Sequence, residues 1–235
     1  MWWIAVLVAS VAIIAISVIV IVHYGRERGD YNDGGGKQVG GNRHVSIFED
    51  NASKAGARGE KYINTHLRLL LRSDEYLLGN LLVPLRNGFK VEIDSVLVSR
   101  KGVFVIESKY WSNIVRGNDE DEYWSQKYLD DRNEKLHKNP VKQNDKHCDA
   151  VSYVLNHKYP IDNIVIIVGL TTSRLIDSQC AFMMDEFETH YRNLNNDELT
   201  IEEVNEIYNI LKSYLASDDE LKQHQLEVQR RHQSK

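Results

Sequence analysis

Cysteine is nearly absent from this chain: Cys148 and Cys180 are the only two among 235 residues. Two isolated thiols make neither a disulfide framework nor the paired spacing of a zinc site, and they fit a reducing compartment. A long basic run is also missing. The formal net charge is -5, whereas a protein that grips nucleic acid regardless of sequence carries a basic stripe or a basic balance. Charge of either sign is missing from residues 1–22, where only Ser10 and Ser17 are polar. No internal repeat is visible. What is present, 42% hydrophobic and 27% charged residues, is the composition of a globular domain, and the length suits one domain with extras.

The uncharged stretch is long enough to cross a bilayer as a helix. Trp2 and Trp3 stand at one end, where aromatic side chains favour the interface. A cleaved signal peptide would want a basic start, a shorter apolar core and a small-residue cleavage site. No Lys or Arg precedes this core, and it ends in Ile-Val-Ile-Val-His-Tyr. Residues 1–24 therefore read as an uncleaved anchor, in the membrane through residues 2–22. Arg26, Arg28 and Lys37 follow it, so the positive-inside bias places the N-terminus outside and the remaining chain in the cytoplasm. Residues 25–47 read as a flexible linker. Gly25 to His44 holds seven glycines and scarcely a large apolar residue, so it cannot bury a core.

The most informative stretch runs from Lys90 to Tyr110. Val, Ile and Phe alternate through two strands around a turn at Arg100-Lys101-Gly102. A tight loop pairs Ser99 with Gly102, which sets residue i opposite 201 minus i. Asp94 then faces Glu107, and Glu92 faces Lys109. Directly opposed residues share a face with Cβ atoms roughly 5 Å apart. Three carboxylates and one ammonium are thus expected on one patch, beside Val103 and Val105. A carboxylate on a partly apolar face needs a partner or a metal. Two convergent carboxylates suit Mg²⁺ or Mn²⁺, and a lysine beside them can stabilise charge on a transferring phosphoryl group. The competing structural reading is a solvated sheet face laced by cross-strand ion pairs. The order Asp, about a dozen residues, then Glu-x-Lys is the signature of PD-(D/E)XK nucleases.

Around this hairpin the periodicity predicts a helix over 52–72, with Glu60, Ile63, Leu67, Leu70 and Leu71 on one stripe and small Ala55 and Gly59 permitting close packing. A strand is expected over 76–85, then a turn at Asn87-Gly88, and short strands over 114–116 and 123–126. The acidic run Asp119 to Glu122 reads as a solvated loop. Asn139-Pro140 opens a helix, as N-cap and first helical residue. Its inward stripe is Asn144, His147, Cys148, Val151, Val154 and Leu155. The apolar run 164–170 reads as a buried parallel strand, and 179–184 as another. Thr200 and Glu203 form a capping box for a helix over 200–216, and the polar residues from 217 read as a tail. The globular part is thus expected over 48–175, extended by 176–216.

The chain resembles the nuclease-related domain family (NERD), a branch of the PD-(D/E)XK nuclease-like superfamily. The resemblance is carried by Gly59-Glu60, Glu92-Ile-Asp94, Gly102-Val-Phe-Val-Ile-Glu107-Ser-Lys109, Trp124 and Asn139-Pro140-Val-Lys-Gln143. It implies an α/β, restriction-endonuclease-like mixed sheet flanked by helices, here behind one transmembrane helix. It also implies a Mg²⁺- or Mn²⁺-dependent phosphodiesterase acting on DNA. Asp94 and Glu107 would bind the metal. Lys109 would position water or stabilise the transition state. Glu60 resembles the helix-borne acid that completes such sites, and Gln143 a helix glutamine of related domains. Ser108 stands where the family more often has an apolar residue, but it points away from the Glu107 face.

Each residue also has a plainer role open to it. Glu60 could be a first-turn acid favoured by the helix dipole, Gln143 a polar helix-edge residue, and Glu92 a salt-bridge partner of Lys109. His147, on an apolar stripe, reads as a core histidine. Tyr110-Trp111 suits base stacking and sheet-edge packing equally. Two functions of different class follow. One is a membrane-anchored DNA nuclease, favoured by the intact Asp94, Glu107 and Lys109. The other is a non-catalytic nucleic-acid or protein interaction module at the membrane, favoured by the acidic balance.

Overall fold

A computed structural model describes residues 43–127, 134–169 and 173–233. These form a mixed α/β fold with two mixed sheets, where the sequence suggested one. The strands are β1 (Tyr76–Pro84), β2 (Lys90–Ser99), β3 (Gly102–Tyr110), β4 (Ile114–Asn118), β5 (Tyr123–Lys127), β6 (Glu134–Lys138), β7 (Ile161–Val168), β8 (Ser173–Asp177) and β9 (Ala181–Met183). The helices are α1 (Arg43–Arg68), α2 (Pro140–Val154), α3 (Met184–Asn193), α4 (Ile201–Leu211) and α5 (Asp218–Gln233).

The larger sheet has the order β1-β2-β3-β7-β9. Its first three strands are antiparallel, and β7 lies parallel to both β3 and β9. The run Ile164 to Val168 is buried as a parallel strand should be. Apolar side chains fill both faces. On one, Val96, Val98, Val103 and Val105 pack with Ala150 and Val151 of α2 and Val204, Ile207 and Leu211 of α4. On the other, Leu97, Phe104, Ile106 and Ile166 pack with Ile63 and Leu67 of α1 and Phe187 and Tyr191 of α3. The alternating membership of residues 96–98 and 103–106 is the period-two pattern of the hairpin made solid.

The smaller sheet, β6-β5-β4-β8, follows directly from the end of β3. Trp111, Val115, Trp124 and Val141 form its core with Val165 and Ile167 of β7. The acidic run becomes the β4–β5 connection, spent largely on its own turn. Asp121 Oδ2 accepts from Asn118 N (3.0 Å), and Asp119 Oδ2 from Gln179 N (3.2 Å).

Several boundaries differ from expectation. Helix α1 begins at Arg43, inside the segment read as linker, and ends at Arg68, short of Leu70 and Leu71. The polar tail from 217 is largely helical as α5, opened by Ser217, whose Oγ and N both donate to Glu220 Oε2 at 2.8 Å. Among the described residues no helix is long and apolar enough to cross a membrane. The span expected over 1–24 lies outside them.

Candidate active site

The Glu107 end of β3 is exposed to chemistry because β2 lets go of it. The β2–β3 ladder runs from Ser99↔Gly102 to Ser95↔Ile106, the register expected from the turn, and stops there. On the other side of β2, the β1 pairing skips Asn80 and Asp94, and Asn80 adopts a left-handed φ of 59°. Ile93 and Val96 both join the α2-side core, so side-chain alternation is not kept across Asp94, although the β1–β2 register is the same on both sides of the gap. The freed Asp94 carboxylate replaces the missing strand: its Oδ2 accepts from Ser108 N at 2.8 Å. Asp94 is thereby brought beside Glu107. The break also corrects the expected Glu92–Lys109 pairing. Beyond it Glu92 turns outward, where its carboxylate accepts from Gln225 Nε2 at 3.1 Å.

Glu107 is 3% exposed and engaged from three directions. Its Oε1 accepts from Lys109 Nζ at 2.5 Å and from Gln143 Nε2 at 2.8 Å. Gln143 Oε1 lies 3.3 Å from Lys109 Nζ and accepts from it. The other oxygen, Oε2, is 3.3 Å from His147 Nδ1, but neither atom has the alignment of a good hydrogen bond. Gln143 and His147 are one helical turn apart, so they project from the same face of α2. The height of that face is fixed from both ends. Asn139 Oδ1 caps α2 by accepting from Val141 N (2.9 Å), while its Nδ2 donates to the carbonyls of Asn118, Asp119 and Asp121. Further along, Asn144 Nδ2 donates to Val105 O (2.9 Å) and Ile164 O (3.1 Å).

Glu60 reaches this region from the opposite layer. Gly59 lets α1 approach: a Cβ there would meet Tyr110 at 3.1 Å and Val168 at 3.2 Å. Burial raises the Glu60 carboxyl above its usual range, and the carboxylates of Glu92 and Glu107 raise it further against the Lys109 ammonium. Asp94 is pushed well above the usual carboxylate range, by burial first and then by Glu107, with the Ser108 N–H opposing. Burial works against ionising Glu107 too, but His147 and the Lys109 ammonium together hold its carboxyl below the ordinary value. The site thus carries one firmly ionised carboxylate and two reluctant ones around a single lysine.

The structure brings together Asp94, Glu107, Lys109 and Gln143, and sets Glu60 within their electrostatic reach. It adds His147, which the apolar stripe of α2 suggested was a core residue; its i, i+4 spacing from Gln143 is the sequence signal that could have found it. Trp111 is buried, its ring centroid 4.7 Å from that of His137 and 6.3 Å from that of Trp124 in tilted contacts, which excludes it as a platform for bases. Tyr110 remains exposed.

The donor set suits a hard divalent cation. Three carboxylates facing one ammonium leave excess negative charge in a partly buried place, which a cation would relieve. Asp94 Oδ1 and Glu107 Oε2 are not taken by a well-aligned donor. Among the described residues no three His, Cys, Asp or Glu side chains converge as a ready metal cage. An ion held there would have to keep several waters and take one or two carboxylates, as Mg²⁺ does.

Comparison with known proteins agrees with this geometry. Residues 55–168 match the nuclease-related domain family. An uncharacterized protein of Bacillus anthracis is 24% identical over 174 residues, covering 72% of this chain and 81% of that protein. No solved structure matches the chain.

Proposed function

We propose that the chain is a metal-dependent nuclease that hydrolyses phosphodiester bonds in DNA, with a restriction-endonuclease-like arrangement of sheet and helices. The observation that carries this reading is the meeting of Asp94 and Glu107 where β2 leaves β3, next to Lys109. Asp94 and Glu107 would hold Mg²⁺ or Mn²⁺, with Glu60 completing the acidic set from α1. When bound, the ion would supply Lewis-acid stabilisation of the phosphoryl oxygens and help generate the nucleophile. Lys109, on the same face as Glu107, would stabilise negative charge that builds on the phosphate during hydrolysis. Gln143 and His147 hold the Glu107 carboxylate in one orientation, so little reorganisation is needed when substrate arrives. The reading also places this domain at the cytoplasmic face of a membrane, anchored through residues 1–24.

A second reading is a binding module that keeps the fold without turnover. It is favoured by the Lys109–Glu107 contact at 2.5 Å, which offsets the Glu107 charge without a metal. Cleavage of plasmid and of single-stranded oligonucleotides by the full-length chain, with Mg²⁺, with Mn²⁺ and with chelator, separates the two. Cleavage that needs the ion and is lost in Asp94→Ala supports the nuclease. Cleavage that persists with chelator overturns the metal-dependent reading, and no cleavage by the wild type leaves the binding module.

A further inference from the structure

A nuclease with a net charge of -5 needs a local place for the substrate backbone, and the sequence shows no basic run. The small sheet supplies one by folding rather than by sequence clustering. Strand β6 is an edge strand. Its pairing with β5 sets Lys135 beside Gln126 and His137 beside Trp124, so Lys135 and His137 share the face that carries the buried Trp124 and Gln126. Lys109 and Trp111 likewise share a face of β3 and the residues just after it. The two rows meet where the Trp111 and His137 ring centroids lie 4.7 Å apart. Lys109, His137 and Lys135 therefore lie along one track that starts at the Glu107 carboxylate.

Among the described residues no acid pairs with the outer part of this track. Glu134, the neighbour of Lys135, points to the opposite face, where Ser125 Oγ donates to it at 2.6 Å and Arg116 pairs with it at 3.4 Å. Among the described residues no carboxylate forms an ion pair with the exposed Lys135. His137 is committed through Nε2 to Gln126 Oε1 at 3.1 Å, and Gln126 Nε2 in turn donates to Ser112 O at 2.8 Å, so the ring is fixed in place. Burial disfavours a proton on His137, as do the nearby Lys135 and Lys109, so the two lysines carry the positive charge of the track and the ring spaces them.

We infer that Lys135, in line with Lys109 across the fixed His137 ring, forms a subsite for a backbone phosphate next to the one hydrolysed at Glu107. This rests on the nuclease reading and extends it by giving the strand a direction, from the end of β3 out along edge strand β6. Such contacts position the substrate without reading its sequence.

The test is binding of a fluorescein-labelled 20-nucleotide single strand and its duplex to the full-length chain, followed by anisotropy with Ca²⁺ in place of Mg²⁺. Lys135→Glu places the change on an exposed side chain, and Lys222→Glu on α5 is the control for altered net charge. Lys135→Glu is expected to weaken binding about tenfold and to lower the salt slope by about one unit, regardless of sequence. Lys222→Glu should bind like the wild type, and Mn²⁺ affinity should be unchanged in both. Equal DNA binding by Lys135→Glu and the wild type overturns the subsite alone. A wild type that binds neither probe overturns the subsite and the nuclease reading together.

Discussion

His147 Nδ1 stands 3.3 Å from Glu107 Oε2, one helical turn along α2 from the glutamine that holds the other oxygen of the same carboxylate. Both atoms are buried without a well-aligned hydrogen bond, and an unsatisfied buried pair in a native fold calls for an explanation. Under the proposed function, orientation of the Glu107 carboxylate explains it. His147→Ala is expected to lower kcat by about 10- to 100-fold, the usual cost of losing a partner that orients a ligand. Substrate KM should change little, and His147→Gln should recover part of the loss. Full activity in His147→Ala would show that the contact is packing alone.

Burial works against the ionised form of Asp94. Its carboxyl is raised above the normal range, so the native state binds this proton more tightly than the unfolded chain. Stability from this group is present below the unfolded value and is lost as pH rises toward the folded one. Asp94→Asn keeps an acceptor for Ser108 N–H and removes the charge. Without metal, Asp94→Asn should therefore melt above the wild type at pH 7, and the gap should close near pH 4, about the normal aspartate value. Each kcal/mol moves Tm by roughly 2–4 °C in a domain this size. Adding Mn²⁺ should raise the wild type and leave the variant where it was. A metal-free variant that melts lower at pH 7 would mean that Asp94 is a structural ion-pair partner.

The small sheet depends on a missing side chain at Gly117. A Cβ there would lie 2.3 Å from Cγ of Trp124, which is fully buried and donates from Nε1 to Asn118 O at 2.8 Å. Gly117→Ala must displace that indole. A loss of about 1–3 kcal/mol is expected, as for other overpacked cores, measured by thermal unfolding. An unchanged Tm would mean that Trp124 can shift freely.

Lys109→Ala should reduce cleavage by ~10²–10³, as when a group that stabilises transition-state charge is removed. Normal cleavage by this variant would contradict the Glu-x-Lys assignment and favour the binding module.

Much of the scaffold was legible because single residues dictate it locally. The Ser99–Gly102 turn fixes the hairpin register, Asn139-Pro140 starts α2, and Thr200 with Glu203 starts α4, each as the structure has it. The same register puts Asp94 opposite Glu107 on paper, whereas the ladder stops one pair earlier, at Ser95↔Ile106, and Asp94 reaches β3 through Ser108 N. Strand β6, Glu134 to Lys138, was missed because it is an exposed edge strand with scarcely an apolar residue to mark a period. Strand β8 and helix α3 were missed as well, and with β6 unseen the second sheet was invisible. The break at Asp94 was beyond reach too. It lies opposite the left-handed Asn80 on the neighbouring strand, and Glu92 beyond it pairs with Gln225 and not with Lys109. His147 was misleading because an inward stripe looks the same whether it packs against valine or against a carboxylate.

Calorimetric titration of Mn²⁺ into the wild type, Asp94→Ala and Lys109→Ala tests the central claim most directly. Asp94 is assigned as a ligand and Lys109 as a charge-stabilising group that does not touch the ion. The expected result is saturable binding by the wild type, closely similar binding by Lys109→Ala, and none by Asp94→Ala. Equal binding by Asp94→Ala and the wild type, or no binding by the wild type, would contradict the account.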